Sequence, residues 1–424
     1  MLAQLVAMTT VAAAPGLQAG VARVDLTPPA SMKAALGGYG ERMSRPAEGV
    51  HDRVWAKALV IRSGETRLAL VTADVLAFPP GFKDAVLAEL KAGGWRSDEV
   101  LLLASHTHAS LDMTALDARN TLNNPALGIY QPELRAETAK RIASAVVQAG
   151  RLPVPVTLGW SQATLEGWVR NRRGGPTTNP TLTVGRLDTL QGKPLAVVVH
   201  WAAHPTFVGA GDMLFSGEWP GYLQRTLETL IGGDVTALYM NGAEGDQSPV
   251  ARAGQTCWER AETYGQALAI ECWRAWQGVK RVRDARLEAA LVDITLPARS
   301  WHPDFMKTGG AEYGMSPENA QAVLEAIAPA ATHGWLVRLG DMLVIGVPGE
   351  MAADVGLDLR LKAVAAAGMR RGIVAGLADE WISYILSPEE YRKGGYEASV
   401  STYGETLGPT ILGALVRAAS EPRH

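Results

Sequence analysis

Leu101-Leu102-Leu103-Ala104-Ser105-His106-Thr107-His108 opens as an unbroken apolar run and closes on a polar triplet. A run without polar alternation reads as a strand covered on both faces. Further segments of this kind, rich in β-branched residues, occur at 57–62, 67–73, 100–105, 154–160, 183–188, 195–201, 235–240, 287–296, 334–339, 342–347 and 372–375. Helical patterns at 81–92, 133–149, 219–230, 258–276, 317–327 and 350–366 lie between them, with Pro and Gly at the joins. The alternation predicts an α/β fold, a mixed β-sheet core layered with α-helices, in a single large domain.

The chain of 424 residues is long enough for a large core, and no linker or internal repeat divides it. Its net charge of −3 comes without a basic block, which argues against nucleic acid and for a small-molecule or lipid partner. Cys257 and Cys272 fall within one helical segment. Fifteen residues at about 1.5 Å rise hold them roughly 22 Å apart, too far for a disulfide. Residues 1–19 read as a signal-peptide remnant or as an N-terminal arm: they are apolar and close on small residues, but no Lys or Arg opens them. Export, secreted or periplasmic, is one expectation and a cytoplasmic location the other. No apolar run reaches the roughly 18 residues of a membrane span.

In a strand, positions i and i+2 share a face, so His106 and His108 are predicted to point into one cavity. Imidazoles converging at strand ends suit a catalytic zinc ion with one open position, and they suit equally a hydrogen-bonded histidine pair. His204, in Ala203-His204-Pro205-Thr206, is a further ligand candidate, while His200 sits inside a strand pattern and reads as structural. The loop Asn241-Gly242-Ala243-Glu244-Gly245-Asp246-Gln247-Ser248-Pro249 can turn backbone N–H groups toward an oxyanion, or hold an activated Ser248. It also reads as a tight turn in which Asp246 satisfies its own backbone. Glu350 follows a strand and precedes a helix, where the helix dipole favours an acid whatever the function. All these residues lie at predicted strand ends, where open α/β sheets place their ligands.

In this order the pieces resemble the N-terminal catalytic domain of the neutral/alkaline non-lysosomal ceramidases. The matching segments are Gly20 to Pro29, Gly37-Gly38-Tyr39-Gly40, Thr72-Ala73-Asp74, His106-Thr107-His108, Asn171-Arg172, His204-Pro205-Thr206, Ser216 to Tyr222, Asn241 to Pro249, Pro348-Gly349-Glu350, and Glu389 to Ser399. They run through nearly the whole chain. The resemblance implies a catalytic domain over 20–424; the C-terminal immunoglobulin-like domain that the family carries is not expected here, a departure from its pattern. It implies hydrolysis of the N-acyl amide of ceramide or a related N-acyl lipid through a zinc-bound water, with peripheral contact to a membrane surface. The Zn2+ ligands it implies are His106, His204, Glu350 and Tyr384. His108 would then exchange protons, Arg172 would orient substrate and Tyr396 would steady the oxyanion. Asn241, Gly245, Asp246 and Ser248 form a loop or oxyanion element, Ser248 more as a shaper of the loop than as a nucleophile.

The chain departs from that pattern beside two of these positions. Ala109-Ser110-Leu111-Asp112 replaces the usual Ser-Gly-Pro, and Asp379-Glu380-Trp381 replaces Asn-x-Tyr. Asp112 and Asp379 add carboxylates where a lipid pocket would not require them. Two alternatives therefore stand beside the ceramidase reading: an esterase, lactonase or small-amide hydrolase that keeps the zinc, and an inactive binding relative.

Overall fold

The computed structural model describes residues 16–421. Its central sheet contains β1 (Gln18–Asp25), β2 (Trp55–Ser63), β3 (Thr66–Ala73), β4 (Val100–Ala104), β5 (Val154–Thr164), β6 (Thr181–Thr189), β7 (Pro194–Trp201) and β8 (Thr236–Asn241). These strands lie in the order β8-β7-β6-β5-β1-β2-β3-β4. The outermost pair at each end is parallel and the inner pairs are antiparallel. A second sheet contains β9 (Leu287–Thr295), β10 (Ala331–Leu339), β11 (Met342–Gly346) and β12 (Arg371–Ala375) in sequential order, with only its last pair parallel.

The α/β class is as expected, but the core is two sheets rather than one. They pack face to face: Leu59, Leu101, Leu103 and Val198 of the central sheet share a core with Trp335, Val337, Val344 and Ile373 of the second. Alternate residues such as Ala58, Val60, Leu102 and Ala104 pack on the opposite face against α1 (Phe82–Glu89) and α2 (Pro132–Ala149). Toward β8 that outer face is covered by α3 (Glu218–Ile231) and α4 (Cys257–Gln277). The second sheet is covered by α5 (Pro317–Ile327), α6 (Ala353–Ala366) and α7 (Leu407–Ser420). The result is a four-layer α/β/β/α arrangement. It explains the apolar runs, since β4, β8 and β11 are buried along their whole length on both sides.

Strand β1 and helix α7 were not expected from the sequence. In β1 polar and small residues interrupt the apolar pattern, yet it lies between β5 and β2 in the sheet. It starts at Gln18, inside the segment 1–19 read as a leader or arm, and residues 1–15 of that segment lie outside the described residues. Helix α4 follows Thr256, whose side chain accepts from the Glu259 N–H while Glu259 reaches back to the Thr256 N–H. Cys257 and Cys272 are both free on this helix. No helix among the described residues is long and apolar enough to cross a membrane.

Candidate metal centre

The strand ends open onto one buried cluster. Strand β4 stops at Ala104, and His106 takes a left-handed backbone with φ 69°. The two histidines therefore do not share a strand face, as their spacing predicts. A turn brings them together instead, with ring planes at 88° and His108 Nε2 3.4 Å from His106 Nε2. His106 Nδ1–H donates to the Leu76 carbonyl at 2.8 Å, which turns its Nε2 lone pair toward Glu350 Oε2, 3.3 Å away. His204 is held alike: Nδ1–H donates to the Glu244 carbonyl at 2.8 Å and Nε2 lies 2.9 Å from the same Glu350 oxygen. Backbone acceptors thus select one tautomer for both rings, as ligating histidines require.

Glu350 is not a helix-terminal acid. Helix α6 starts only at Ala353, and Glu350–Met351 instead pairs in parallel with Tyr384–Ile385. That pairing sets Glu350 beside Tyr384, and it is Asp246, from another loop, that accepts the Ala353 N–H at 2.9 Å. Burial pushes the His204 imidazole down to about 4, so near neutral pH its Nε2 offers a lone pair. Burial, reinforced by the neighbouring histidines, pushes the His108 imidazole far down, so it is neutral near pH 7.

Around this cluster, Arg172 reaches three partners. Its Nη2 donates to the Tyr384 hydroxyl at 3.0 Å and to the Gly245 carbonyl at 2.9 Å, while Nε donates to Glu397 at 2.6 Å. Arg172 is therefore no solvated turn residue. The Tyr396 hydroxyl bonds to that of Tyr313 at 3.0 Å. A cavity of about 150 Å³ opens beside these groups, lined by His106, His108, Glu350, Tyr384 and Tyr396 and by apolar side chains including Met113, Phe305 and Ile327.

The loop Asn241–Ser248 supports the site through its framework. The Asn241 side-chain amide donates to the carbonyls of Ser105 and Ala203 and its oxygen accepts from the Gly242 N–H, tying β8 to the loops after β4 and β7. Besides Ala353, the Asp246 carboxylate accepts from Asn171 and Gln247, so it serves the framework rather than its own turn. Gly245 is packed so closely that a Cβ would lie 2.7 Å from the Glu350 carbonyl oxygen. Ser248 pairs with Arg170 in a short ladder and does not line the cavity. His200 bridges the two sheets, its Nε2–H donating to the Val374 carbonyl at 2.8 Å.

Of the two unexpected carboxylates, Asp112 lines the cavity and Asp379 does not. Asp379 is buried behind it, bonded to Lys83, His333, Trp335 and the Leu102 N–H. Three residues of the site receive no role from the sequence, although Trp381 and Glu244 lie in segments it singles out. Trp381 Nε1–H donates to Glu350 Oε1 at 2.8 Å. The buried Arg42 donates to the carbonyls of Gly37, His108, Gly209, Ala210 and Asp212, gathering the loops behind His108. Glu244 offers a carboxylate within 4.8 Å of donor atoms of His106 and Glu350. A lone Arg, Trp or Glu in a loop has no periodicity to mark it, and only the tertiary contacts reveal its work.

The donor chemistry fits a divalent cation such as zinc. His106, His108 and His204 form one group of potential ligands, and His106, Glu244 and Glu350 an overlapping one. A family model described as neutral/alkaline non-lysosomal ceramidase, N-terminal, matches residues 17–276. The chain belongs to this family. The neutral ceramidase of Mycobacterium tuberculosis is 24% identical over 92% of this chain and 74% of its own length. The neutral ceramidase of Pseudomonas aeruginosa is 23% identical over 91% of this chain and 69% of its own. In fold, the chain matches the crystal structure of the P. aeruginosa neutral ceramidase with a TM-score of 0.80, over 96% of this chain and 74% of that one, at 20% identity. A ceramidase complexed with C2 matches with a TM-score of 0.81, over 96% of this chain and 75% of that one, at 19% identity.

Proposed function

We propose that this member of the ceramidase family is a zinc-dependent amidohydrolase that cleaves the N-acyl amide of ceramide or of a related N-acyl lipid. The observation that carries the reading is the meeting of His106 Nε2 and His204 Nε2 at Glu350 Oε2, beside a largely apolar cavity. His106, His204, Glu350 and Tyr384 would hold the ion. Zinc, when bound, supplies Lewis acidity and lowers the pKa of water toward neutrality.

The protein's own groups do the rest. Arg172 donates to the Tyr384 hydroxyl oxygen and fixes its direction. His108, neutral and facing the cavity, can take a proton at Nε2 and return it to the leaving amine. The Tyr396 hydroxyl, oriented by Tyr313, can donate to the oxygen that gains charge as the amide carbonyl is attacked. The apolar wall receives the acyl chain and excludes water, which strengthens each of these interactions.

A second reading keeps the ion and changes the substrate. Asp112 places a carboxylate in the cavity wall, where its Oδ1 accepts from Thr114. That wall favours an amide or ester that presents a hydroxyl or an amine to an acceptor. Metal content measured together with hydrolysis of a fluorescent short-chain ceramide, with and without chelator, tests both readings. About one zinc per chain with chelator-sensitive cleavage supports the first. Zinc without ceramide cleavage moves the search to short polar amides and esters, and absence of zinc sinks both.

A further inference from the structure

Glu244 is the one buried acid around this site whose carboxyl group the protein leaves without a hydrogen-bond partner. It is fully buried in the loop after β8, and among the described residues neither carboxylate oxygen has a hydrogen-bond partner. The neighbouring buried acids are all satisfied. Asp246 accepts from Ala353, Gln247 and Asn171, Asp379 from Lys83, His333, Trp335 and Leu102, and Glu218 from the N–H groups of Phe207, Val208 and Trp219.

A buried carboxyl group without a partner is costly, ionised or neutral, so a fold retains one where something else meets it. Protonation alone does not resolve the matter, because the O–H so formed would have no acceptor among these residues. The surroundings are built to admit the side chain: Gly376 lies so close that a Cβ there would be 2.7 Å from Glu244 Oε2. The same residue's carbonyl orients His204, so backbone and side chain both serve the one cluster. The carboxylate also lies within 4.8 Å of the donor atoms of His106 and Glu350. Trp381, by contrast, touches only the far oxygen of Glu350 and carries no charge.

We propose that Glu244 is a fifth protein donor to the metal ion, beside His106, His204, Glu350 and Tyr384. The inference rests on the metal reading above and adds to it a second carboxylate ligand. A site with two carboxylates is harder and more anionic than one with a single carboxylate, and a five-donor set favours coordination above four. In this chain the ion would then have five protein donors, and six ligands once water or substrate is included.

The test uses the full-length protein stripped by chelator and reloaded, in wild type, Glu244→Gln and Glu244→Val. Zinc affinity is read by competition with a chromogenic chelator. Coordination number is read from the visible spectrum of the Co2+-loaded protein, whose intensity falls stepwise as the ligands increase from four through five to six. The expected result is a weak wild-type spectrum that intensifies in Glu244→Val, with zinc affinity at least about tenfold lower in both variants. Melting of the metal-free proteins provides a separate readout. Glu244→Val should be at least as stable as wild type without metal, because it removes a buried carboxyl group that has no hydrogen-bond partner, and should gain less from added zinc.

Unchanged spectra would overturn the proposal, whether or not affinity falls, since a fall alone is what a nearby charge would produce. Unchanged affinity would overturn it as well, and in both cases the wild type still binds metal. Failure of the wild type to bind Zn2+ or Co2+ would overturn the proposal and the metal reading together.

Discussion

The indole N–H of Trp381 donates to Glu350 Oε1 at 2.8 Å, and the other oxygen of that carboxylate faces His106 at 3.3 Å and His204 at 2.9 Å. The indole thus assigns one oxygen of Glu350 to the framework and the other to the histidines. Removing such an orienting partner ordinarily costs about 10–100-fold in metal affinity. Trp381→Phe keeps the ring and loses the donor. It should weaken zinc binding by that amount in chelator competition with the melting temperature nearly unchanged. Equal affinity would mean that Glu350 is positioned by its strand pairing alone.

Arg172 serves Tyr384, Gly245 and Glu397 from one guanidinium, a geometry no ammonium can reproduce. Arg172→Lys should retain the charge and lower kcat/KM by about 100-fold, a loss of about 2.7 kcal/mol in transition-state stabilisation. Steady-state kinetics on a short-chain ceramide would show it, and near-wild-type turnover would limit the residue to a structural salt bridge.

Gly38 has φ 94°, and a Cβ built on it would run into the His108 imidazole. Gly38→Ala would therefore combine left-handed strain of roughly 1–2 kcal/mol with displacement of that ring. We expect activity at least tenfold lower with zinc content unchanged, because His106, His204 and Glu350 keep their own partners. Loss of zinc along with activity would instead place His108 among the ligands.

Asp379 is a stability group. Burial opposes its ionisation, but the ammonium of Lys83 and the imidazole of His333 outweigh that and bring its carboxyl down to about 2. The unfolded value is about 3.9, so this contribution is present in full above pH 4 and is lost as pH falls through about 2. By linkage it amounts to about 3 kcal/mol. Asp379→Asn, which also strands Lys83, should cost about 3 kcal/mol or more near neutrality in urea melts. The gap to wild type should narrow below pH 4, and a constant gap would show that packing rather than charge is lost.

Ser248 lies in a short ladder outside the cavity lining. Ser248→Ala should leave kcat/KM within about twofold of wild type, inside the ±0.5 kcal/mol expected of substitutions away from special features. A loss of a thousandfold or more would bring back the serine-hydrolase reading.

The amino-acid order by itself determined the α/β class, most of the regular elements and the chemical types at the strand ends. It could do so because these are local matters: an unbroken apolar run at 100–104 is a covered strand wherever it folds, and Pro205 cuts off a helical reading of His200 and His204. Tertiary structure alone decided that the core is two facing sheets, since either arrangement buries both faces of a strand and leaves the same pattern. It also decided that Glu350 belongs to a two-residue pairing with Tyr384 rather than to a helix, and that Asp246 caps that helix from another loop. Neither has a signature in sequence spacing. Trp381, Arg42 and Glu244 act through partners tens to hundreds of residues away, and only the closed fold brings such partners within hydrogen-bonding or ligand distance.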